Sequence, residues 1–484
     1  MLGKTKFLAG RQIAVTWSIP ESFGGLTSAM LQRSRAFRTF GGVDVDVFTL
    51  DPQENRTHRD QILADRDALI DGVTVTNLYD WLRQHPLPGG SLRLDRDVFT
   101  PLQPEASEHE RDTDGAPVRR LVRRNSGGEV MQIDHLRADG TLVLSDRHDT
   151  RERGVVGGRS LILCDETGTP VRSWQRVWHL YTAWLDRFTA KQPTFLIVDS
   201  KVVAKFVAGY RREHVTTIHV VHGSHRHDGP ELIRPSRREV FARLADFDAV
   251  VFPTLGQRDD VQAIVGPEPT LIAVPNALSN ADAPERARSG AAMVARLEPL
   301  KQVDHAIAAV QRANAQVRPP ITLDIFGDGP EKARVHELVQ DDPNVRLHGF
   351  VNDVQHKLST ASTLLLTSRS EAFALAIGEA MAVGCLPIAY DIAYGPGDFI
   401  THGKDGWLVA PNDIDALAAA LTEANQLDER TLARMRTRAR ARAAAFSEQR
   451  VFTMWARALR QARGGAATPL AARKVLARLR KPAG

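Results

Sequence analysis

Short apolar segments recur along this 484-residue chain, and they come in two runs separated by a polar break. In each run an apolar segment is followed by a turn and then a stretch of helical period. That order is the signature of a parallel α/β sheet, because parallel strands need a crossover long enough to return the chain to the starting edge. The first run opens with QIAVTWSI (residues 12–19), the glycine turn and helix of PESFGGLTSAMLQRSRAF, and DVDVFTL (residues 44–50). It resumes after Trp178 with FLIVD, TIHVV, AVVF and LIAV, the last ending at Val274. The second run contains MVARL, ITLDIFG, VRLHGF, TLLLTS, LPIAYD and LVAP, between residues 293 and 411. Two successive Rossmann-like halves imply a cleft between them.

The first run is interrupted. Residues 86–117 are rich in proline, glycine and charge, and residues 118–177 read as a β-meander: VRRLVRR, VMQIDHL, TLVLSD, SLILCD and PVRSWQRVW. Turns at Ala138-Asp139-Gly140 and Glu166-Thr167-Gly168 separate the later strands. The expected domains are therefore 1–85 and 178–280 for the first Rossmann-like half, with 86–177 as an inserted antiparallel β-rich module. A C-terminal half over 281–445 follows, then a helix crossing back over 446–463 and a basic tail over 464–484. Such a module can bind a partner, build an oligomer or hold an acceptor. Its Arg119, Arg120, Arg123 and Arg124 either face a polyanion or form a solvated strand face.

Bulk properties exclude several classes. Lysine and arginine total 63 against 58 acidic residues, a net charge of +5 that carries little information about partners. Two cysteines, Cys164 and Cys385, make no disulfide framework or metal cluster and fit a reducing cytoplasm. The opening MLGKTKFLAGRQIAV lacks an apolar run of signal length, and no stretch approaches a membrane span, so a cytoplasmic protein is expected. AARKVLARLRKPAG, in the tail, has basic amphipathic character: a peripheral contact with anionic lipid, or a frayed terminus.

The chemistry concentrates in the second run. TSRSEAFALAIGEAMAVGCLPIAYD holds Glu371 in a Ser/Thr-rich loop and Glu379 in a helix expected to begin near Phe373, placing Glu379 two turns in. Six to eight helical residues would separate the carboxylates by roughly 10 Å, the span from a sugar ring to the ribose of a nucleotide-sugar. Both ends of such a ligand need hydroxyl acceptors, and the helix start between them favours a diphosphate. Taken alone the pair also reads as a helix-start carboxylate and a solvated helix residue. Arg296 and Lys301, just past a strand in MVARLEPLKQ, supply two positive charges for a leaving diphosphate without a metal. FGDGP, with Gly327, is a glycine turn after a strand and suits a nucleotide-side loop. Gly24 and Gly25 let backbone approach a ligand or simply make a tight turn. HVVHGSH ends a strand; His222 is the candidate for the site, His225 a weaker one, and His219 reads as core. Asp44/Asp46 and Asp246/Asp248 are read as structural, with no metal site expected.

These segments in this order (FGGLTSAML, VPNAL with Asn276, ARLEPLK, FGDGP, SRSEAFALAIGEAMAVGCLPIAYD) resemble the family-4 retaining glycosyltransferases of GT-B architecture. AYDIAYGPGDFITHGKDGWLV, HVVHGSH, FPTLGQRDDV and the insertion are similar to the teichoic-acid α-glycosyltransferases acting on poly(ribitol-phosphate) and poly(glycerol-phosphate). The resemblance implies an α/β GT-B fold of two Rossmann-like domains facing a cleft, with an inserted antiparallel β-hairpin domain that mediates oligomerisation or acceptor binding. It implies that Glu371 meets the donor sugar and Glu379 the ribose hydroxyls. Arg296, Lys301 and the amides of Phe373, Ala374 and Leu375 would meet the phosphates, with Gly25 opposite. The donor would be a UDP-sugar and the acceptor an anionic polyol-phosphate polymer, with no nucleic acid and no cofactor. A small, lipid-linked or protein acceptor, or an inactive partner subunit, are the alternatives. Ala372 and Ala374 depart from the small glycines common at those positions, as does Gly397 from a frequent serine.

Overall fold

The computed structural model describes residues 7–20, 23–92, 101–103, 105–111, 117–149, 158–226, 233–279 and 287–465. The basic tail beyond 465 and the polar break at 280–286 lie outside the described residues. The first strands are β1 (Arg11–Thr16), β2 (Val45–Thr49) and β3 (Val73–Asn77). The insertion follows with β4 (Glu108–Arg111), β5 (Val118–Arg124), β6 (Val130–Leu136), β7 (Leu142–Asp149), β8 (Gly158–Cys164) and β9 (Pro170–Trp174). Then come β10 (Thr194–Val198), β11 (Val215–Val220), β12 (Ala249–Phe252) and β13 (Leu271–Ala273). The last six are β14 (Ser289–Val294), β15 (Leu323–Phe326), β16 (Val345–Gly349), β17 (Ala361–Leu366), β18 (Leu386–Tyr390) and β19 (Trp407–Val409).

These strands form three sheets: a seven-stranded one in the order β13-β12-β11-β10-β1-β2-β3, a six-stranded one in the order β16-β15-β14-β17-β18-β19, and the six-stranded meander β4 to β9. β1 pairs in parallel with both β10 and β2, and every pair of the β14–β19 sheet is parallel. β10 and β18 are buried at every position, as strands covered by helices on both faces must be. The meander is antiparallel throughout.

β4 was not visible in sequence. EHER has no apolar residue; it pairs with β5 at the sheet edge, where charged side chains are tolerated. The arginines of β5 correct both expectations for them. Arg119, Arg120 and Arg123 are buried. Arg120 pairs with Glu110 at 2.5 Å, Arg123 with Asp134 at 3.2 Å, and the half-exposed Arg124 with Glu108 at 2.8 Å. They hold the meander together instead of presenting charge to a polyanion. The carboxylates of the Asp-x-Asp pairs are likewise engaged: Asp46 by Arg11 at 2.8 Å and Asp246 by Arg243 at 2.7 Å.

The chain divides into two compact units, Ala9–Glu21 with Val43–Thr217, and Met1–Leu8 with Ser22–Gly42 and Ile218–Gly484. In the larger unit the helix Glu448–Gly465 returns to the helix Gly25–Gly41. Phe452 stacks on Phe7 at 5.3 Å, Trp455 meets Phe37 edge-on at 6.0 Å, and Gln32 donates to Glu448 at 3.1 Å. No helix among the described residues is long and apolar enough to cross a membrane.

Candidate active site

In the sheet β16-β15-β14-β17-β18-β19 the strand order reverses between β14 and β17. Connections leave these two strands toward opposite sides, so their carboxyl ends open a crevice at that point, where open α/β sheets place ligands. Arg296 and Lys301 follow β14, and Glu371 follows β17.

The two loops are joined by hydrogen bonds to the backbone of residues 300–302. Thr367 Oγ1 donates to the carbonyls of Lys301 and Gln302, both at 2.8 Å, and the Arg369 amide donates to Leu300 O at 2.9 Å. Gln302 adopts a left-handed conformation (φ 46°), which turns the chain from a short 3₁₀ turn into the helix Val303–Asn314. The outcome is a direct pair. Lys301 Nζ donates to Glu371 Oε1 at 2.5 Å, and Ser368 Oγ donates to the same oxygen at 2.7 Å. Both side chains are mostly covered, at 20% and 15% exposure. Glu371 Oε2 has no partner among the described residues and remains free to accept a ligand hydroxyl. Arg296 is different. Its side chain is 70% exposed and among the described residues reaches only Glu298, at 3.1 Å, an attachment weak enough for an incoming phosphate to displace.

Gly327, expected in a nucleotide-side loop, also has a packing role. A Cβ there would lie 1.8 Å from Ala295 O, and one at Gly329 would lie 2.4 Å from Leu297 O. The Leu297 amide donates to Asp328 O at 2.9 Å and the Glu331 amide to Leu297 O at 3.0 Å. The FGDGP turn thus fixes the segment that carries Arg296.

The helix bearing Glu379 spans Leu375–Val383 and starts two residues later than expected, so Glu379 sits one turn in, not two. Ala374 causes the delay: it is left-handed (φ 60°), and no side chain caps the helix behind it. With no cap and no acidic residue in its first turn, this helix start has amides and dipole available to an anion. The preceding Phe373 ring is buried against Phe399 at 4.9 Å and Phe446 at 5.7 Å, which anchors the loop. Glu379 is half-buried and makes no hydrogen bond or ion pair among the described residues; burial pushes its carboxyl up to about 7. A polar group so placed has an unfilled requirement for a donor, which ribose hydroxyls would meet.

Gly24 precedes the helix Gly25–Gly41, and none of the described residues lies within 4 Å of a Cβ built at Gly24 or Gly25, so packing among them does not demand either glycine. His222 is half-buried just past β11. His225 is buried between the rings of Phe241 at 5.9 Å and Tyr394 at 5.8 Å, and burial lowers its imidazole to about 4, so it stays neutral near pH 7. His219 is buried core beside Phe247. Sequence reasoning missed the next link. Arg226 donates to Tyr394 OH at 2.8 Å and to Asp260 at 3.1 Å, and Tyr394 also donates to Asp260. A Cβ on the following Gly395 would lie 2.9 Å from Ala374 Cβ, so the loop after β11 is tied through Tyr394 to the helix start. Asp260 and Tyr394 lie in segments singled out in the sequence, but a separation of 134 positions carried no signal that they bond.

Residues 287–442 match the family described as glycosyl transferases group 1. Two curated relatives are similar over part of their length. The exopolysaccharide phosphotransferase of Streptomyces coelicolor is 36% identical over 47% of this chain and 24% of its own. The poly(glycerol-phosphate) α-glucosyltransferase of Bacillus subtilis is 26% identical over 56% of this chain and 41% of its own. The chain therefore spans well under half the length of either. A solved structure of Staphylococcus aureus TarM, in complex with fondaparinux, α-GlcNAc-glycerol and UDP, superposes with a TM-score of 0.73. It is 16% identical and the match covers 94% of this chain and 100% of that one, a likeness of fold that includes the inserted antiparallel sheet. Residues 287–442 are thus a glycosyl transferases group 1 domain, carried in a chain of GT-B fold.

Proposed function

We propose that this protein is a retaining glycosyltransferase that moves a hexose or N-acetylhexosamine from a UDP-sugar to a hydroxyl of an anionic polyol-phosphate polymer. The observation that carries it is the Lys301–Glu371 pair at the strand-order reversal of a group 1 domain. In this reading Glu371 Oε2 accepts from a hydroxyl of the donor sugar, and Glu379 accepts from the ribose. Lys301 and Arg296 meet the diphosphate, with the helix start at Leu375 adding its amides. The bond from the anomeric carbon to the phosphate oxygen breaks, and the bond to the acceptor oxygen forms on the same face. The acceptor's proton passes to the departing phosphate oxygen, whose charge Lys301 and Arg296 stabilise. His222 lines the acceptor side. The polyol-phosphate acceptor is supported by the Bacillus relative; the phosphotransferase name belongs to a protein of which the match covers 24%. We further read the protein as cytoplasmic and as oligomeric through its inserted sheet.

UDP release and product formation, measured for the parent, Glu371→Ala and Lys301→Ala, test this. Each variant is expected to lose roughly 10²- to 10³-fold in turnover. Near-parental turnover in both would refute the assignment, and an inverted anomeric signal in the product's NMR spectrum would refute retention.

A further inference from the structure

The seven-stranded sheet has a reversal of its own, between β1 and β10. By the same argument the carboxyl ends of β1 and β10 should open a ligand crevice. A cavity of about 220 Å³ lies there, within the smaller compact unit, lined by Trp17, Tyr79, Trp178, Tyr181 and Phe206, with Arg159 from the inserted sheet. Trp17 directly follows β1, and the helix Lys201–Val207, which supplies Phe206, follows β10.

The walls are preorganised. The amides of Leu50 and Asp51 both donate to Trp17 O at 2.9 Å, and the Ile19 amide donates to the buried Glu54 at 2.8 Å. Tyr181 meets Phe206 edge-on at 5.5 Å. Arg159 is gripped at two points by Asp146, at 2.9 and 2.6 Å. Yet the mouth is left apolar: Trp178 is 40% exposed and Val202 50%. An exposed tryptophan beside an aromatic cavity is costly to leave in water unless something covers it.

The charge count selects the occupant. Among the described residues Arg159 is the one charged residue lining the cavity, and Asp146 already neutralises it. Among the described residues that line it a phosphate would find no uncompensated cation, so a bare polyol-phosphate segment is poorly matched within the cavity. The remaining Nη1 of Arg159 makes no hydrogen bond among the described residues and can donate to a neutral hydroxyl. Aromatic faces with a few polar edges suit a ring that is apolar on its faces and hydroxylated at its rim. The volume is below the ~300 Å³ floor for drug-sized sites and admits a single ring.

We propose that this cavity is a saccharide subsite that takes one neutral pyranose ring of the acceptor, so that the acceptor is a sugar-bearing chain and not an unadorned polyol phosphate. The acceptor role rests on the transferase reading above; the binding does not. The test is calorimetric titration of the full chain, with its donor site filled by UDP, using maltotriose, chitotriose and a sugar-free glycerol-phosphate oligomer as probes. At least one saccharide should bind the parent, and Trp178→Ala should weaken it about 5- to 10-fold, the range expected for one lost aromatic contact. Trp178 is exposed enough for the variant to fold, which a thermal melt verifies. No saccharide binding, binding indifferent to Trp178, or Trp178-dependent binding of the sugar-free oligomer would each overturn the proposal. Absence of UDP-sugar hydrolysis by the parent would instead remove the transferase reading and leave the saccharide result to stand alone.

Discussion

Glu379 shows how one residue can carry a measurable signature of a site. Burial raises its carboxyl to about 7, above its ordinary value of 4.5, so much of it is protonated in the unliganded protein just below neutrality. A ligand held by the ionised form must draw that proton off. UDP affinity should therefore rise with pH through about 7 and level off above it, by up to ~10-fold from pH ~6 to ~8 beyond the titration of UDP itself. Glu379→Gln should remove this excess slope while retaining the phosphate's own, as titrations of both proteins across that range would show. The sign is the reverse for folding. Because the folded state holds the proton more tightly, the contribution of Glu379 to stability is greatest below the unfolded value and is lost as pH rises through about 7. Gly327 gives a second test at this scale. With Ala295 O at 1.8 Å from any added Cβ, Gly327→Ala must displace the strand-end backbone. A loss of about 1–3 kcal/mol in urea denaturation is expected, together with weaker UDP binding, since the displaced segment carries Arg296.

At the scale of elements, the helix Leu375–Val383 depends on how it is entered. A left-handed alanine costs about 1 kcal/mol at the low end, and glycine would remove that strain while adding about 0.5–1 kcal/mol in unfolded-state entropy. Ala374→Gly is thus expected to leave stability within about 0.5 kcal/mol of the parent. Ala374→Val, branched at Cβ, should cost at least ~1 kcal/mol and weaken UDP binding, both readable by denaturation and titration. Most strands of the two parallel sheets were legible because a strand buried on both faces is a continuous apolar run: FLIV and LPIAY needed no partner to be recognised. The pairing of Lys301 with Glu371 was legible only as two residues in one domain. β4 escaped because EHER is stabilised by backbone pairing with β5, a term absent from its own composition. The β5 arginines were misread because their carboxylates, Glu110 and Asp134, sit on neighbouring strands whose register no local pattern reveals. The cavity at β1 and β10 was invisible for the same reason on a larger scale: its rings come from positions 17 to 206.

For the molecule as a whole, the larger unit is discontinuous in sequence. Trp455 is 5% exposed, set against Phe37 and under the Arg33 guanidinium at 5.1 Å. Trp455→Ala should cost about 3–5 kcal/mol, seen as an earlier urea transition. The return of the helix Glu448–Gly465 onto the helix Gly25–Gly41 also sets a timetable. The two are separated by roughly 400 residues, which a ribosome adding ~5–20 residues per second needs about 20–80 s to make. Throughout that interval Phe37 and Phe7 have been synthesised but Phe452 and Trp455, which pack against them, have not. The nascent chain therefore carries a partly uncovered aromatic face until the helix Glu448–Gly465 emerges, and slow or interrupted translation should be felt first as aggregation of the segment around the helix Gly25–Gly41.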